Sequence, residues 1–257
     1  MRIASYNING VKARLPRLLE WLEETRPAVA CLQEVKSQEE GFPFGEFEKI
    51  GYHAICHGQK GFNGVAILTD GAAAADHTRG LPGDPEDEQA RFIECDFRGV
   101  HIVNLYLPNG NPHPGPKFDY KLAWMERLRI RMTELLAAEI PTVVVGDFNV
   151  IPQDKDVWSP AAMAGDALMQ PESRDAYARL LSDGWTDAID TLNPRGGVWT
   201  FWDFQAGAWQ RDHGFRIDHL LLSPQAADRM QAAGVDKEYR GREKPSDHTP
   251  VWVDLSD

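Results

Sequence analysis

Cysteine is scarce and scattered. The chain of 257 residues holds three, Cys31, Cys56 and Cys95, and none belongs to a C-x-x-C pair. An odd, dispersed set argues against a disulfide framework or a structural zinc site and points to a reducing interior. Cys31 lies in an apolar run and reads as a small core residue. Long apolar stretches are missing too, and nothing approaches the roughly 20 residues that a bilayer span needs. The opening MRIASYNING lacks the apolar core of a secretory leader. A cytoplasmic protein with no membrane partner is the expectation.

Positive charge is in deficit, with 27 Lys and Arg against 39 Asp and Glu and a net charge of −12. This excludes a protein that coats nucleic acid through a broadly basic surface. It leaves room for a local basic patch, or for carboxylates gathered in one cleft. Neither a Gly-x-x-x-x-Gly-Lys loop nor a Gly-x-Ser-x-Gly elbow occurs, so a nucleotide P-loop and a serine hydrolase are both unsupported. No repeat, low-complexity tract or Gly/Ser linker divides the chain, and one domain over 1–257 is expected.

What is present is a series of short apolar runs bounded by Gly, Pro, Asn or Asp: 2–6, 28–32, 64–68, 91–97, 101–107, 142–146, 216–222 and 251–255. Rich in β-branched residues, they read as buried strands. Helical spacing marks 13–24, 173–182, 224–232 and, most clearly, 117–138, where Leu122, Met125, Leu128, Met132 and Leu135 recur on one face. The runs 91–97 and 101–107 are joined by a tight Arg-Gly turn and must be antiparallel. Helices between the early strands and a hairpin among the later ones predict an α/β fold, a layered sandwich of two mixed β-sheets flanked by helices.

Polar groups recur at one end of these strands. The first runs into Tyr6-Asn7-Ile8-Asn9, the second into Gln33-Glu34, the fifth carries Tyr106 and then Asn109, and the sixth runs into Asp147-Phe148-Asn149. Asp218 opens one late strand and Asp247-His248 precedes the last. If those two run antiparallel to the others, every group meets at one edge, where open α/β sheets build their sites. Singly, each has a plain reading. Asn7 and Asn109 could be turn formers, Glu34 a solvated strand end, Asp147 and Asp247 caps, and His248 a structural hydrogen-bonder. Asp218 resists that reading, since a carboxylate among Ile217, Leu220, Leu221 and Leu222 needs a partner. Carboxylates, amides and one His without a Cys cluster suit a hard cation such as magnesium. His248 beside an Asp suits an oriented acid–base or electrostatic pair.

Taken together the motifs resemble the exonuclease III family of AP endonucleases, in the endonuclease/exonuclease/phosphatase superfamily with its DNase I-like fold. The stretches that carry the resemblance begin with Tyr6-Asn7-Ile8-Asn9-Gly10, Leu32-Gln33-Glu34-Val35-Lys36 and Gly61-Phe62-Asn63-Gly64-Val65-Ala66. They continue with Tyr106-Leu107-Pro108-Asn109-Gly110, Gly146-Asp147-Phe148-Asn149-Val150, Arg216-Ile217-Asp218-His219 and Ser246-Asp247-His248-Thr249-Pro250. The resemblance implies a magnesium-dependent nuclease, with manganese as a substitute metal. It implies action on duplex DNA at 3′ ends and 5′ of abasic sites, leaving a 3′-hydroxyl, and a monomer is expected.

The same resemblance implies roles. Glu34 is the principal metal ligand, with Asn9 and Asp247 near the metal and Asn7 holding that environment in place. Asp147 serves the attacking water or the leaving oxygen. Asn149 bonds the phosphate, His248 oriented by Asp218 polarises a non-bridging oxygen, and Tyr106 touches the phosphate or assists the leaving group. Phe201, Phe215 and Ile217 match an apolar pocket for a base-less sugar. Lys12, Arg14, Asn109, Arg240, Arg242 and Lys244 are expected along the DNA, the alternative for 240–244 being a solvated charged loop. Three positions depart from the usual pattern: Tyr6 where many relatives have Trp, His219 where many have Tyr, and Asn9 where some have Asp. A lipid or inositol phosphatase, or a DNA-binding protein that has lost catalysis, are the competing readings.

Overall fold

The computed structural model describes residues 1–256. Its first sheet combines β1 (Arg2–Asn7), β2 (Val29–Gln33), β3 (Tyr52–His57), β4 (Val65–Asp70), β11 (Met230–Val235) and β12 (Val251–Leu255), in the order β11-β12-β1-β2-β4-β3. The second combines β5 (Ala75–Arg79), β6 (Phe92–Phe97), β7 (Val100–Tyr106), β8 (Thr142–Asp147), β9 (Thr186–Asp187) and β10 (Asp218–Leu222), in the order β5-β6-β7-β8-β10-β9. Each sheet has one parallel pair, β1 with β2 and β7 with β8. Helix α1 (Val11–Thr25) makes the first crossover and helix α3 (Pro116–Ala137) the second. Among the short helices, α2 (Phe44–Lys49) lies before β3. The helices α4 (Pro160–Met163), α5 (Pro171–Ser182) and α6 (Ala188–Leu192) follow β8, and α7 (Pro224–Ala227) follows β10. The expected layered sandwich of two mixed sheets is the fold.

Strand alternation explains the layers. In β1, Ile3 points between the sheets while Ala4 and Tyr6 point out to α1. Val29, Cys31, Ile67, Ile102, Val143, Val145 and Val253 complete the inner layer. On the far side of the second sheet, Val103, Leu105 and Val144 pack against Trp124, Met125 and Leu128 of α3. The inner layer also holds polar side chains. Gln33 Nε2 donates to Asn104 Oδ1 (2.7 Å) and to Ser5 Oγ (3.0 Å), and Asn104 Nδ2 donates to the carbonyls of Leu32 and Ala66. The Ser5 bond stays within the first sheet, and the others run from one sheet to the other.

The eight strands read from sequence are all present, to within about two residues at either end. The four that were not anticipated, β3, β5, β9 and β11, are the four sheet edges. An edge strand is not covered on every side, so it lacks the apolar signature of a central one. All of β5 is exposed. The segment 224–232 was expected to be helical throughout. Helix α7 ends at Ala227 and the chain turns into β11, which pairs with β12 and lays Gly234 against the Trp252 ring. Tertiary pairing overrides the helix propensity of its alanines. The buried face of α3 is Phe118, Lys121, Trp124, Met125, Leu128, Met132 and Leu135, with Leu122 only half-buried.

Candidate active site

The carboxyl ends of both parallel pairs open on the same edge of the sandwich. Asn7 lies opposite Gln33, and Tyr106 opposite Asp147. Strands β10 and β12 run the other way, so Asp218 at the start of β10 falls opposite Asp147, and Ser5 of β1 falls opposite Val251. Glu34, Asp147 and His248 each offer a ligand atom, all within 4.8 Å of one another. The arrangement inferred from antiparallel late strands is therefore the one observed.

Asp147 is buried at the centre. Its Oδ2 accepts from Asn7 Nδ2 (3.0 Å) and lies 3.7 Å from His248 Nε2, while its Oδ1 accepts from the Asn149 amide (2.9 Å). Gly146 before it has φ 146, and a Cβ there would sit 1.9 Å from the Leu105 carbonyl oxygen, so only glycine lets β8 approach β7 at this point. Burial raises the Asp147 pKa to about 7, helped by the charges of Asp218 and Glu34 and opposed by His248. His248 Nδ1 donates to Asp218 Oδ2 (2.8 Å). Burial alone would discharge this imidazole, but Asp218 and Asp147 raise its pKa to about 10. The Thr200 hydroxyl accepts from the amides of Ile217 and Asp218, and Thr249 N donates to the Thr200 carbonyl. One threonine thus pins both halves of the His–Asp pair.

Glu34 is held differently. Asn7 Nδ2 donates to its Oε1 (3.0 Å) and Lys36 Nζ lies 2.8 Å from its Oε2. Burial pushes its pKa up, but the bonds from Lys36 and Asn7 win and leave it below the usual carboxylate range. Lys36 also donates to Asn9 Oδ1 (2.5 Å), and Asn9 Nδ2 donates to Asp247 Oδ1 (2.9 Å). Asn9, Glu34 and Lys36 all have left-handed backbones, with φ of 47, 50 and 51. Strained φ values of this kind gather at functional loops. Of the four residues implied as the metal set, Glu34 alone is in the triplet that could grip an ion. Asn7 bridges Glu34 and Asp147, and Asn9 ties Asp247 to Lys36. His248 is cationic and has no lone pair to offer, so the donors that remain are carboxylate oxygens, with Glu34 ionised at neutral pH, which fits a hard divalent cation.

Beyond the acids the edge opens into a cleft of about 540 Å³, lined among others by Tyr106, Asn109, Asn149, Phe201, Phe215 and Ile217. The Phe201 ring lies 4.7 Å from Phe215 and edge-on to His248 at 4.9 Å. Burial and the charges of Glu34 and Asp147 raise the Tyr106 pKa well above its usual value, so its phenol stays protonated. Asn109 Nδ2 donates to Asn149 Oδ1 (3.1 Å), and Asn149 Nδ2 to the Leu107 carbonyl (2.9 Å).

The expected DNA-facing cations divide. Lys12 and Lys244 are exposed. Arg14 is half-buried, 6.0 Å from the half-exposed Phe204 ring. Arg240 is buried, donating to the carbonyls of Trp202 and Asp203. Arg242 pairs with Glu20 (2.8 Å) and Glu24 (2.9 Å) on α1. Both guanidiniums are engaged within the protein and fasten the 240–244 loop to the body, which sets aside the alternative of a freely solvated loop for these two. The sequence reading also missed several residues around the site. Lys36 and Lys121 are lysines whose environment no pattern announces. Trp158 and His213 stack face to face at 3.7 Å on the cleft wall. Arg216 is held by Asp156 (2.9 Å) and Asp187 (2.6 Å) and meets His219 Nδ1 at 3.0 Å beneath β10. His219, at one of the departing positions, is buried there and its pKa falls to about 3, through burial and the neighbouring Arg216.

A layered sandwich that collects acids, amides and a His–Asp pair at one edge defines a hydrolase that cuts phosphate esters. The sequence profile of the endonuclease/exonuclease/phosphatase family matches residues 4–248. The chain belongs to this family and, within it, to the exonuclease III/AP endonuclease group of DNA-repair nucleases. It is 34% identical over 270 residues to exodeoxyribonuclease III of Haemophilus influenzae, covering 99% of this chain and 100% of that one. An AP endonuclease from Archaeoglobus fulgidus superposes with a TM-score of 0.96 at 34% identity, each chain covered in full. A 3′ phosphatase from Neisseria, solved with a product DNA hairpin, superposes with a TM-score of 0.97 at 34% identity, again over the whole of both chains.

Proposed function

We propose that this chain is a magnesium-dependent DNA-repair nuclease. It removes nucleotides from 3′ ends of duplex DNA and hydrolyses the phosphodiester 5′ of an abasic site, leaving a 3′-hydroxyl. It acts as a cytoplasmic monomer. The observation that carries the reading is the meeting of Glu34, Asp147 and His248 within 4.8 Å at the mouth of a cleft walled by Phe201, Phe215 and Ile217. The full-length likeness to an exodeoxyribonuclease III and to an AP endonuclease supports it.

The residues divide the work. Asp147, with its pKa near 7, takes a proton from the attacking water or serves the leaving oxygen. His248, kept cationic by Asp218, faces a non-bridging phosphate oxygen, and Tyr106 supplies a protonated phenol. Asn149 and Asn109 present amides to the phosphate. Glu34 would hold the metal, with Asn7, Asn9 and Asp247 fixing its surroundings. A bound magnesium would neutralise charge that develops on the phosphate oxygens. Phe201, Phe215 and Ile217 receive a sugar without a base, which is cheap to expose because no pairing is lost.

The test is a labelled duplex with one abasic site, with and without magnesium, beside an undamaged duplex with a 3′ end. Cleavage 5′ of the lesion, metal dependence and a 3′ end that a polymerase extends are expected. Failure on both duplexes, with turnover of an inositol phosphate or phospholipid, would overturn the reading in favour of a phosphatase. Binding without turnover would favour the inactive DNA-binding alternative.

A further inference from the structure

Lys121 is out of place on its helix. It sits in the buried stripe of α3 between Phe118 and Met125 and is fully buried, at 0% exposure. A buried ammonium needs compensation, and among the described residues no carboxylate lies within ion-pairing distance of it. Its Nζ instead donates to two backbone carbonyls, Asn149 O (2.5 Å) and Asn109 O (3.1 Å). These belong to two loops that leave adjacent strands, β7 and β8, and carry the paired cleft amides.

The peptide of Asn149 is pinned at both ends. Its N–H donates to Asp147 Oδ1 (2.9 Å), and its carbonyl accepts from Lys121. Between those points the residue is left-handed, with φ 48. Its side chain is fixed by Leu107 and Asn109. Asn109 Oδ1 accepts in turn from Asn111, whose Nδ2 donates to Asp166 Oδ1 (3.0 Å). Gly110 shows how tightly this loop wraps the lysine, since a Cβ there would lie 2.7 Å from Lys121 Cδ. Two acceptors need two N–H donors, which either protonation state of the amine supplies, so the clamp does not depend on charge.

We propose that Lys121 is a positioning residue for the phosphate-binding amides, bolting the Asn109 and Asn149 loops to each other and to α3. The inference rests on the nuclease reading above. Because Lys121 lies behind the amides and lines no part of the cleft, it acts through Asn109 and Asn149 and does not touch the substrate.

The test compares wild type with Lys121→Met, which keeps the length and apolar stem but removes the donors. On an abasic duplex kcat should fall on the order of 10- to 100-fold, the size expected when a reacting group shifts by about 1 Å. KM should change little, because the outer DNA contacts are untouched. The side-chain amide NMR signals of Asn109 and Asn149 should move without DNA or metal present. The combination with Asn109→Ala should cost less than the product of the two single effects, since both act on one unit. If the methionine variant does not fold, Lys121→Gln, which keeps one donor, is measured in the same way, and reduced kcat at unchanged KM is again expected. A purely structural lysine predicts a lower Tm with wild-type kcat per folded molecule and unmoved amide signals, and that result overturns the proposal. Inactivity of the wild type would instead count against the nuclease reading, leaving the amide signals as the independent test of the clamp.

Discussion

Replacing Asp147 by Asn should stabilise the folded protein at alkaline pH while abolishing turnover. Burial raises this carboxyl from 3.8 to about 7 in the folded chain. A raised pKa contributes stability that is fully present below the unfolded value and is lost as pH rises through the folded one. Ionising Asp147 therefore destabilises the fold across a window from about 4 to 7. Three pH units correspond to about 4 kcal/mol at about 1.36 kcal/mol each. Asn avoids that term and keeps an oxygen for the Asn149 amide, but loses the bond from Asn7, worth about 1 kcal/mol. The value of about 7 already includes the opposing attraction of His248, so a net gain on the order of 3 kcal/mol remains. For a chain of this size that is roughly 6–12 °C in Tm. The assay is thermal unfolding of both proteins in a chelator from pH 4 to 9. The gap should be full above pH 7 and close toward pH 4. A gap that is constant with pH, or a variant less stable than wild type at pH 8, would refute the assignment of a raised pKa.

Glu34→Gln keeps the shape of the side chain but removes charge from the metal-gripping triplet; its rate should drop steeply and recover in part at high magnesium, whereas Asp147→Asn should show no such recovery, and equal rescue of both would contradict their separate tasks. Phe201→Ala or Phe215→Ala should lower the ratio of abasic to undamaged cleavage without altering magnesium affinity; a fall in Tm with an unchanged ratio would make these rings packing alone. Arg14→Ala should weaken binding to all duplex sequences alike and lower the salt slope by roughly one unit. Arg242→Ala should leave that slope alone and lower Tm instead, because its guanidinium already holds Glu20 and Glu24; a reduced slope for Arg242→Ala would show that it does reach phosphate.

The site was legible because its members stand at strand ends, where period-2 patterns stop and a polar residue follows. Asn7, Glu34, Asp147 and Asp218 could be aligned from the runs before or after them. The edge strands could not, since exposure removes the pattern. Lys121 was hidden for a related reason. A lysine on a helix reads as solvent-facing, and Leu122 beside it offered an apolar residue at acceptable spacing. The partners of Arg240 and Arg242 could not be read, because sequence shows charge but not who neutralises it. Glu20 and Glu24 lie more than 200 positions away, on another element.

The amide contacts of Gln33 and Asn104 between the sheets have a bearing on tolerance. Glu34 and Asn7 leave the first sheet, Asp147 and Asp218 the second, so the distances among them depend on how one sheet is seated over the other. Apolar layers alone permit small slides at little energetic cost. A slide of one residue would strand the donors of Gln33 and Asn104 in a dry interior, at about 1–3 kcal/mol for each orphaned group. The pair works as a vernier, reading one sheet against the other just below the acids. Gln33 is covalently next to Glu34, and Asn104 is two residues before Tyr106. The alignment is therefore set where an error would matter most.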